Sequence, residues 1–198
     1  MRKKQALNYN WLFCSQHQDE HISDVKNVEG FVEVNIPHNA VDLPFNHFDE
    51  SITHKILTYK KEITIPEDYE GKTIVIRFEG VANIAHVFLD DTFVTTHKGP
   101  YTPFAVDITE LVIPSHSYML TIVVDTHENV FVPPFGGVVD FLTYGGIYRE
   151  VSLEAYNKNR ITDYFIRTYD PVNQSTVSLG LDLTVDSGSV DICIYDGE

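Results

Sequence analysis

The sequence predicts an all-β fold, a sandwich or barrel built from short strands. Val, Ile and Thr recur in short runs, and the aromatic share of 12% is mostly Tyr and Phe, residue types that suit a pleated, half-buried surface. These runs alternate apolar and polar residues with a period of two and lie at regular spacing between Gly- and Pro-containing turns. No long helical period competes with them. With 198 residues, 43% of them hydrophobic, the chain can bury one sizeable core, or one complete domain plus part of a second.

Leu7 to Phe13 reads as an opening strand, and the polar stretch Ser15 to Glu29 as a loop that Gly30 ends. Phe31 to Ile36 alternates until Pro37, which has no N–H to give to a ladder. Ile56 to Ile65 is the next long strand, closed by Pro66, and the turn Asp68-Tyr69-Glu70-Gly71 leads into a strand over Thr73 to Phe78. Ile84 to Leu89 and Thr92 to Thr96 flank Asp90-Asp91, where a hairpin would reverse. Tyr118 to Asp125 follows the turn-like Pro114-Ser115-His116-Ser117, and Ile147 to Ala155 completes the set.

Between the last two strands, Glu128 to Thr143 is rich in Pro, Gly and aromatics and too long for a hairpin turn. Long ordered loops in compact domains are often functional, so this stretch is the first place to seek a site. After Tyr156 to Arg160 the strand pattern restarts with Ile161 to Tyr169, Thr176 to Val185 and Val190 to Tyr195. A domain boundary is expected there, giving domains 1–157 and 158–198. Three strands are too few to close a sandwich, so the second domain is expected to be partial.

The formal net charge of −15 argues against a nucleic-acid partner, which needs clustered Lys and Arg, and is read as a solubility feature. Cys14 and Cys193 lie near opposite ends of the chain, outside any CxxC pattern, and suggest neither a disulfide framework nor zinc. Polar residues from Gln5 to Gln16 interrupt what would otherwise resemble an export signal, and no segment approaches the roughly 20 apolar residues of a membrane span. A cytoplasmic, non-membrane protein is expected.

Five sequence elements, in order, carry a resemblance. They are Val34-Asn35-Ile36-Pro37-His38, Phe78-Glu79-Gly80-Val81, Ala85-His86-Val87-Phe88-Leu89, His97 to Phe104 with Asp107-Ile108-Thr109, and Gly145-Gly146-Ile147-Tyr148-Arg149. Together they resemble the N-terminal domain of family 2 glycoside hydrolases, the β-galactosidase and β-glucuronidase group. Asn39, Pro100 and Phe31 depart from the family pattern and blur the subfamily. The resemblance implies a jelly-roll (galactose-binding-like) sandwich, the sugar-binding domain, followed by the first strands of an immunoglobulin-like sandwich. It also implies that the catalytic acid and nucleophile are glutamates on a downstream (β/α)8 barrel, which this sequence, stopping at Glu198, is expected not to reach.

The expected role is therefore the non-catalytic N-terminal portion of a retaining β-glycosidase acting on terminal β-galactosides, inactive on its own. A β-glucuronidase of the same family and an autonomous carbohydrate-binding module are the alternatives. The expected partners are the downstream barrel of its own chain and a β-linked sugar, with a homo-oligomer left open. No cofactor, no metal and no catalytic residue is expected. The run Asp140 to Gly146 resembles the family loop whose aspartate reaches the barrel pocket, so Asp140 is the one substrate-binding candidate. A carboxylate is acceptor-only and suits paired sugar hydroxyls, whereas the alternative is an exposed acid capping a turn.

Other constellations are weaker. His17 and His21 have the i, i+4 spacing of a helical zinc pair, but the segment lacks an apolar face and a third ligand, and it reads as a solvated loop. His38, His86 and His97 read as structural, satisfied by backbone hydrogen bonds. Phe131, Phe135, Phe141 and Tyr144 could stack on sugar rings, although packing against protein is the favoured reading.

Overall fold

The structure, a computed structural model, describes residues 2–26, 28–41, 43, 45–46, 49–133, 135–136, 145–169, 176–185, 189–193 and 195. It is all-β, as expected, with two compact units: residues 2–155, and residues from Tyr156 onward.

The first unit is a two-sheet sandwich. Its strands are β1 (Lys3–Ala6), β2 (Trp11–Cys14), β3 (Val32–Val34), β4 (Ile56–Thr64), β5 (Thr73–Phe78), β6 (Ile84–Leu89), β7 (Thr92–Lys98), β8 (Phe104–Asp107), β9 (Ser117–Asp125) and β10 (Val151–Tyr156), with one short helix, α1 (Glu20–Ser23). One sheet has the order β1-β10-β5-β8 and the other β3-β2-β4-β9-β6-β7. Most neighbours are not consecutive in sequence, so connections cross between sheets, the wiring of a jelly roll rather than of an up-and-down meander.

Alternation explains the core. Ala85, Val87 and Leu89 of β6, Leu120, Ile122 and Val124 of β9, and Leu57, Tyr59 and Ile63 of β4 point inward against Ile74, Ile76 and Phe78 of β5 and Leu153 of β10. Trp11 is fully buried and donates its indole N–H to the Leu7 carbonyl at 2.5 Å. On the outer face of the six-stranded sheet the register aligns Thr58, Val123 and His86 in one row and Lys60, Thr121 and Phe88 in the next.

β5 and β6 have the expected bounds, and β4, β7 and β9 differ from expectation by one or two residues. The expected strand Leu7 to Phe13 instead divides at a crossing between the sheets. Asn10 sits at φ 56°, its N–H donates to Asn35 Oδ1, and Asn8 links both sheets by giving its carbonyl to Ile36 N and its Oδ1 to Val151 N. β1 was not expected, because Lys3-Lys4-Gln5 lacks alternation, yet a charged, exposed edge strand protects a sheet from unwanted pairing.

In the second unit, β11 (Ile161–Tyr169) and β12 (Thr176–Leu183) form an antiparallel ribbon. Every residue of β11 is exposed, including Ile161, Tyr164, Phe165 and Ile166. The expected strand Val190 to Tyr195 is not a strand over its described residues 190–193 and 195, where no neighbouring segment supplies a ladder.

Candidate functional site

Asp140, with Phe141 and Tyr144, lies outside the described residues. What the structure shows is the root of that loop, and the root is closely built. Ala82 and Gly146 exchange N–H···O bonds of 3.0 and 3.2 Å, Ala40 N–H donates to Gly145 O at 2.9 Å, and His38 N–H donates to Ile147 O at 2.8 Å. Two segments distant in sequence, residues 38–40 and Ala82, thus converge on Gly145-Gly146-Ile147.

Only glycine fits at the pair. A Cβ on Gly145 would lie 2.3 Å from Thr126 Cγ2, and one on Gly146, whose φ is +118°, would lie 2.5 Å from the Tyr59 hydroxyl and 2.9 Å from the His38 carbonyl. Tyr59 is wholly buried, which pushes its phenol far above the usual range, while the Ile147 N–H that it accepts acts in the opposite direction. As a neutral phenol it can donate to His38 Nδ1, 2.8 Å away, when that nitrogen is unprotonated.

The other root is tied through Thr126 and Asn83. Thr126 Oγ1 donates to the Thr53 carbonyl at 2.5 Å and accepts from Lys55 N–H at 2.8 Å. Asn83, 2% exposed, donates Nδ2 to the carbonyls of Thr126 at 2.9 Å and His127 at 3.3 Å, and its own carbonyl accepts from Gly99 N–H at 3.1 Å. Asp125 Oδ1 accepts from the His127 backbone N–H at 2.9 Å and stands 2.6 Å from its Nδ1. Past this anchor, Phe131 is 89% exposed and Phe135 50% exposed, so among the described residues both expected loop aromatics face outward.

Tyr148 locks the neighbouring loop. Its hydroxyl donates to the Pro100 carbonyl, and its ring lies where a Cβ on Gly80 would fall, 2.8 Å from Cζ. His97 stacks on Phe104 at 4.1 Å, and Phe104 on Phe78 at 4.8 Å. These contacts tie together one end of the sandwich, on either side of the stretch in sequence that contains Asp140.

The histidines hold the fold through hydroxyls more than through backbone, contrary to expectation. His38 meets Tyr59, His86 Nδ1 lies 2.8 Å from Thr96 Oγ1, and His97 Nε2 lies 3.2 Å from Thr102 Oγ1 as well as 3.1 Å from the Gly99 carbonyl. The segment of His17 and His21 is also not the expected solvated loop. α1 turns His21 onto the sheet, where it is 2% exposed, and the Nδ1 atoms of both rings reach Thr58 Oγ1, at 2.9 Å for His17 and 3.2 Å for His21. Among the described residues no group of three or more His, Cys, Asp or Glu could hold a metal ion, and no helix is long and apolar enough to cross a membrane.

Comparison with known proteins agrees with this architecture. Residues 3–157 match the family model described as "Glycosyl hydrolases family 2, sugar binding domain". The chain is 41% identical over 170 residues to a beta-galactosidase of Thermoanaerobacterium thermosulfurigenes, covering 85% of this chain and 24% of that protein. It is 33% identical over 154 residues to a beta-glucuronidase of Bacteroides fragilis, covering 77% of this chain and 20% of the other. A beta-glucuronidase structure from an uncultured Clostridium sp. superposes with a TM-score of 0.76 at 22% identity, over 93% of this chain and 34% of that one, a likeness of fold. The chain spans about a quarter of the length of the curated relatives it matches.

Proposed function

The chain belongs to glycosyl hydrolase family 2, and from that premise we propose that it is the N-terminal, non-catalytic portion of a retaining β-glycosidase acting on terminal β-galactosides. The observation that carries the galactoside reading is the 41% identity to a beta-galactosidase over 85% of the chain. The 33% identity to a beta-glucuronidase over 77% of it supports a glucuronide as the second reading.

A retaining glycosidase needs two carboxyl groups about 5 to 5.5 Å apart across the scissile bond. In this proposal that pair resides in a barrel domain elsewhere in the full-length protein, and the present chain supplies position. The platform of Gly145, Gly146, Tyr59, Thr126 and Asn83 holds both roots of a loop whose Asp140 accepts hydrogen bonds from hydroxyls of the terminal sugar. Rigid roots matter because a positioning group displaced by about 1 Å can cost on the order of a hundredfold in rate. A cytoplasmic location and a sequence-distant barrel as the main intramolecular partner belong to the same proposal.

The test uses the full-length enzyme and this chain alone, each assayed with nitrophenyl β-galactoside and nitrophenyl β-glucuronide. The expected outcome is galactoside hydrolysis by the full-length enzyme and none by the 198-residue chain. A full-length preference for the glucuronide would transfer the proposal to the second reading. Turnover by the chain alone would refute the non-catalytic role.

A further inference from the structure

Residues 15–26, carrying α1, lie as a strap against β4 on the outer face of the six-stranded sheet, and polar groups are buried in that contact. Its centre is Thr58. The hydroxyl lies between two imidazoles, 2.9 Å from His17 Nδ1 and 3.2 Å from His21 Nδ1, and the rings stand 5.9 Å apart.

The donors around His21 determine where the protons are. Gln18 N–H donates to His21 Nδ1 at 3.3 Å, so that nitrogen presents its lone pair and the ring proton is on Nε2. The single Thr58 hydroxyl proton is then directed at the same lone pair. With that proton so placed, the Thr58 oxygen can accept from a His17 tautomer protonated at Nδ1, which gives a chain running from His17 through Thr58 to His21 when both rings are neutral.

A proton added to His21 Nδ1 would face the fixed Gln18 N–H donor and would oblige the Thr58 hydroxyl to turn its own proton away, in a site only 2% exposed. The charged and titratable neighbours oppose it on balance. Lys60 on β4, wholly buried, donates Nζ to the strap carbonyls of Asp24 at 3.2 Å and Val25 at 3.0 Å and lies 5.5 Å over the Phe31 ring, which itself stands 4.8 Å from His21. His17 and, on β6, His86 add further positive charge when protonated. Glu20 and Asp24 act in the other direction near His21 and Lys60, and Asp19, fully exposed, lies 3.8 Å from His17 Nε2. Asp125 on β9 lines the pocket of about 250 Å³ beside His17 and His86.

We propose that residues 15–26 form an acid-released strap, clasped to the sheet while His21 is neutral and detached from it when His21 takes up a proton. The sign follows from linkage. Burial first, then His17 and Lys60, hold the His21 pKa below its ordinary 6.5 in the clasped state. The clasp is therefore fully effective above that value and weakens as pH falls toward the clasped-state pKa. The released histidine ionises near 6.5 and the clasped one lower, so opening increases as pH falls from 7.5 to 5.5, by about tenfold at most for a single histidine.

Hydrogen exchange of the chain at those two pH values, expressed as protection factors, reads this directly. The strap amides of His21, Ile22, Ser23 and Asp24, bonded to Gln18, Asp19 and Glu20 carbonyls, are expected to lose protection at pH 5.5, by at most about tenfold, while β5 amides keep theirs. His21→Gln retains an acceptor but no titration, and should abolish the pH response. In the parent chain, NMR titration should place the His21 ring below 6.5. Strap protection equal at both pH values, a full response retained by His21→Gln, or a His21 ring titrating at or above 6.5 would each overturn the proposal.

Discussion

Gly146→Ala tests the loop root most sharply, because Gly71→Ala supplies its own control. Both glycines occupy positive φ, +118° and +68°, but a Cβ at Gly71 would meet nothing within 4 Å, whereas at Gly146 it would lie 2.5 Å from the Tyr59 hydroxyl and 2.9 Å from the His38 carbonyl. The backbone strain common to both is about 1–3 kcal/mol. Overpacking at Gly146 adds about 1–3 kcal/mol. Neither neighbour gives way cheaply. The carbonyl is backbone, and the Tyr59 hydroxyl is engaged with His38 and Ile147. Gly146→Ala should thus cost roughly 2–6 kcal/mol, and a melting temperature lower by about 4–24 °C follows for a domain of this size. Gly71→Ala should cost only that strain, about 1–3 kcal/mol. Urea unfolding of the two variants beside the parent, checked for equal slopes, measures the difference. If Gly146→Ala loses no more than Gly71→Ala, the close approach at the root is not what selects glycine there, and the platform argument fails.

Tyr59→Phe removes the hydroxyl between Ile147 N–H and His38 Nδ1 and should destabilise the domain by about 1–3 kcal/mol, measured by the same unfolding, with no change of fold by circular dichroism. Asp140→Ala in the full-length enzyme should lower kcat/KM by about 1.5–3 kcal/mol, or roughly 10- to 150-fold, with unchanged melting temperature, and equal kinetics would return Asp140 to the role of a turn-capping acid. In the second unit, β11 has no buried residue, so its amides should exchange faster than those of Thr73–Phe78 in the isolated chain. Protection equal to β5 in a monomer would show that the ribbon is covered, contrary to its exposure.

The all-β class was readable from the sequence because strand burial alternates with period two. Ala85, Val87 and Leu89 announce an inward face wherever the strand is placed. The Gly145-Gly146 pair and the ordered motifs around it also marked the family before any coordinates. Their reason for being glycine was not readable, since it depends on Thr126, Tyr59 and His38, which come within 3 Å only after four segments have folded together. Sequence spacing likewise misjudged His17 and His21. A polar segment with no apolar face looks solvated, but β4 also presents Thr58 and Lys60 on its outer face, and a polar strap then finds polar partners to be buried against. Local periodicity specifies which residues a strand turns inward, because that depends on the backbone alone. Which polar groups meet, and where a Cβ has no room, depends on long-range register, and only the tertiary structure decides it.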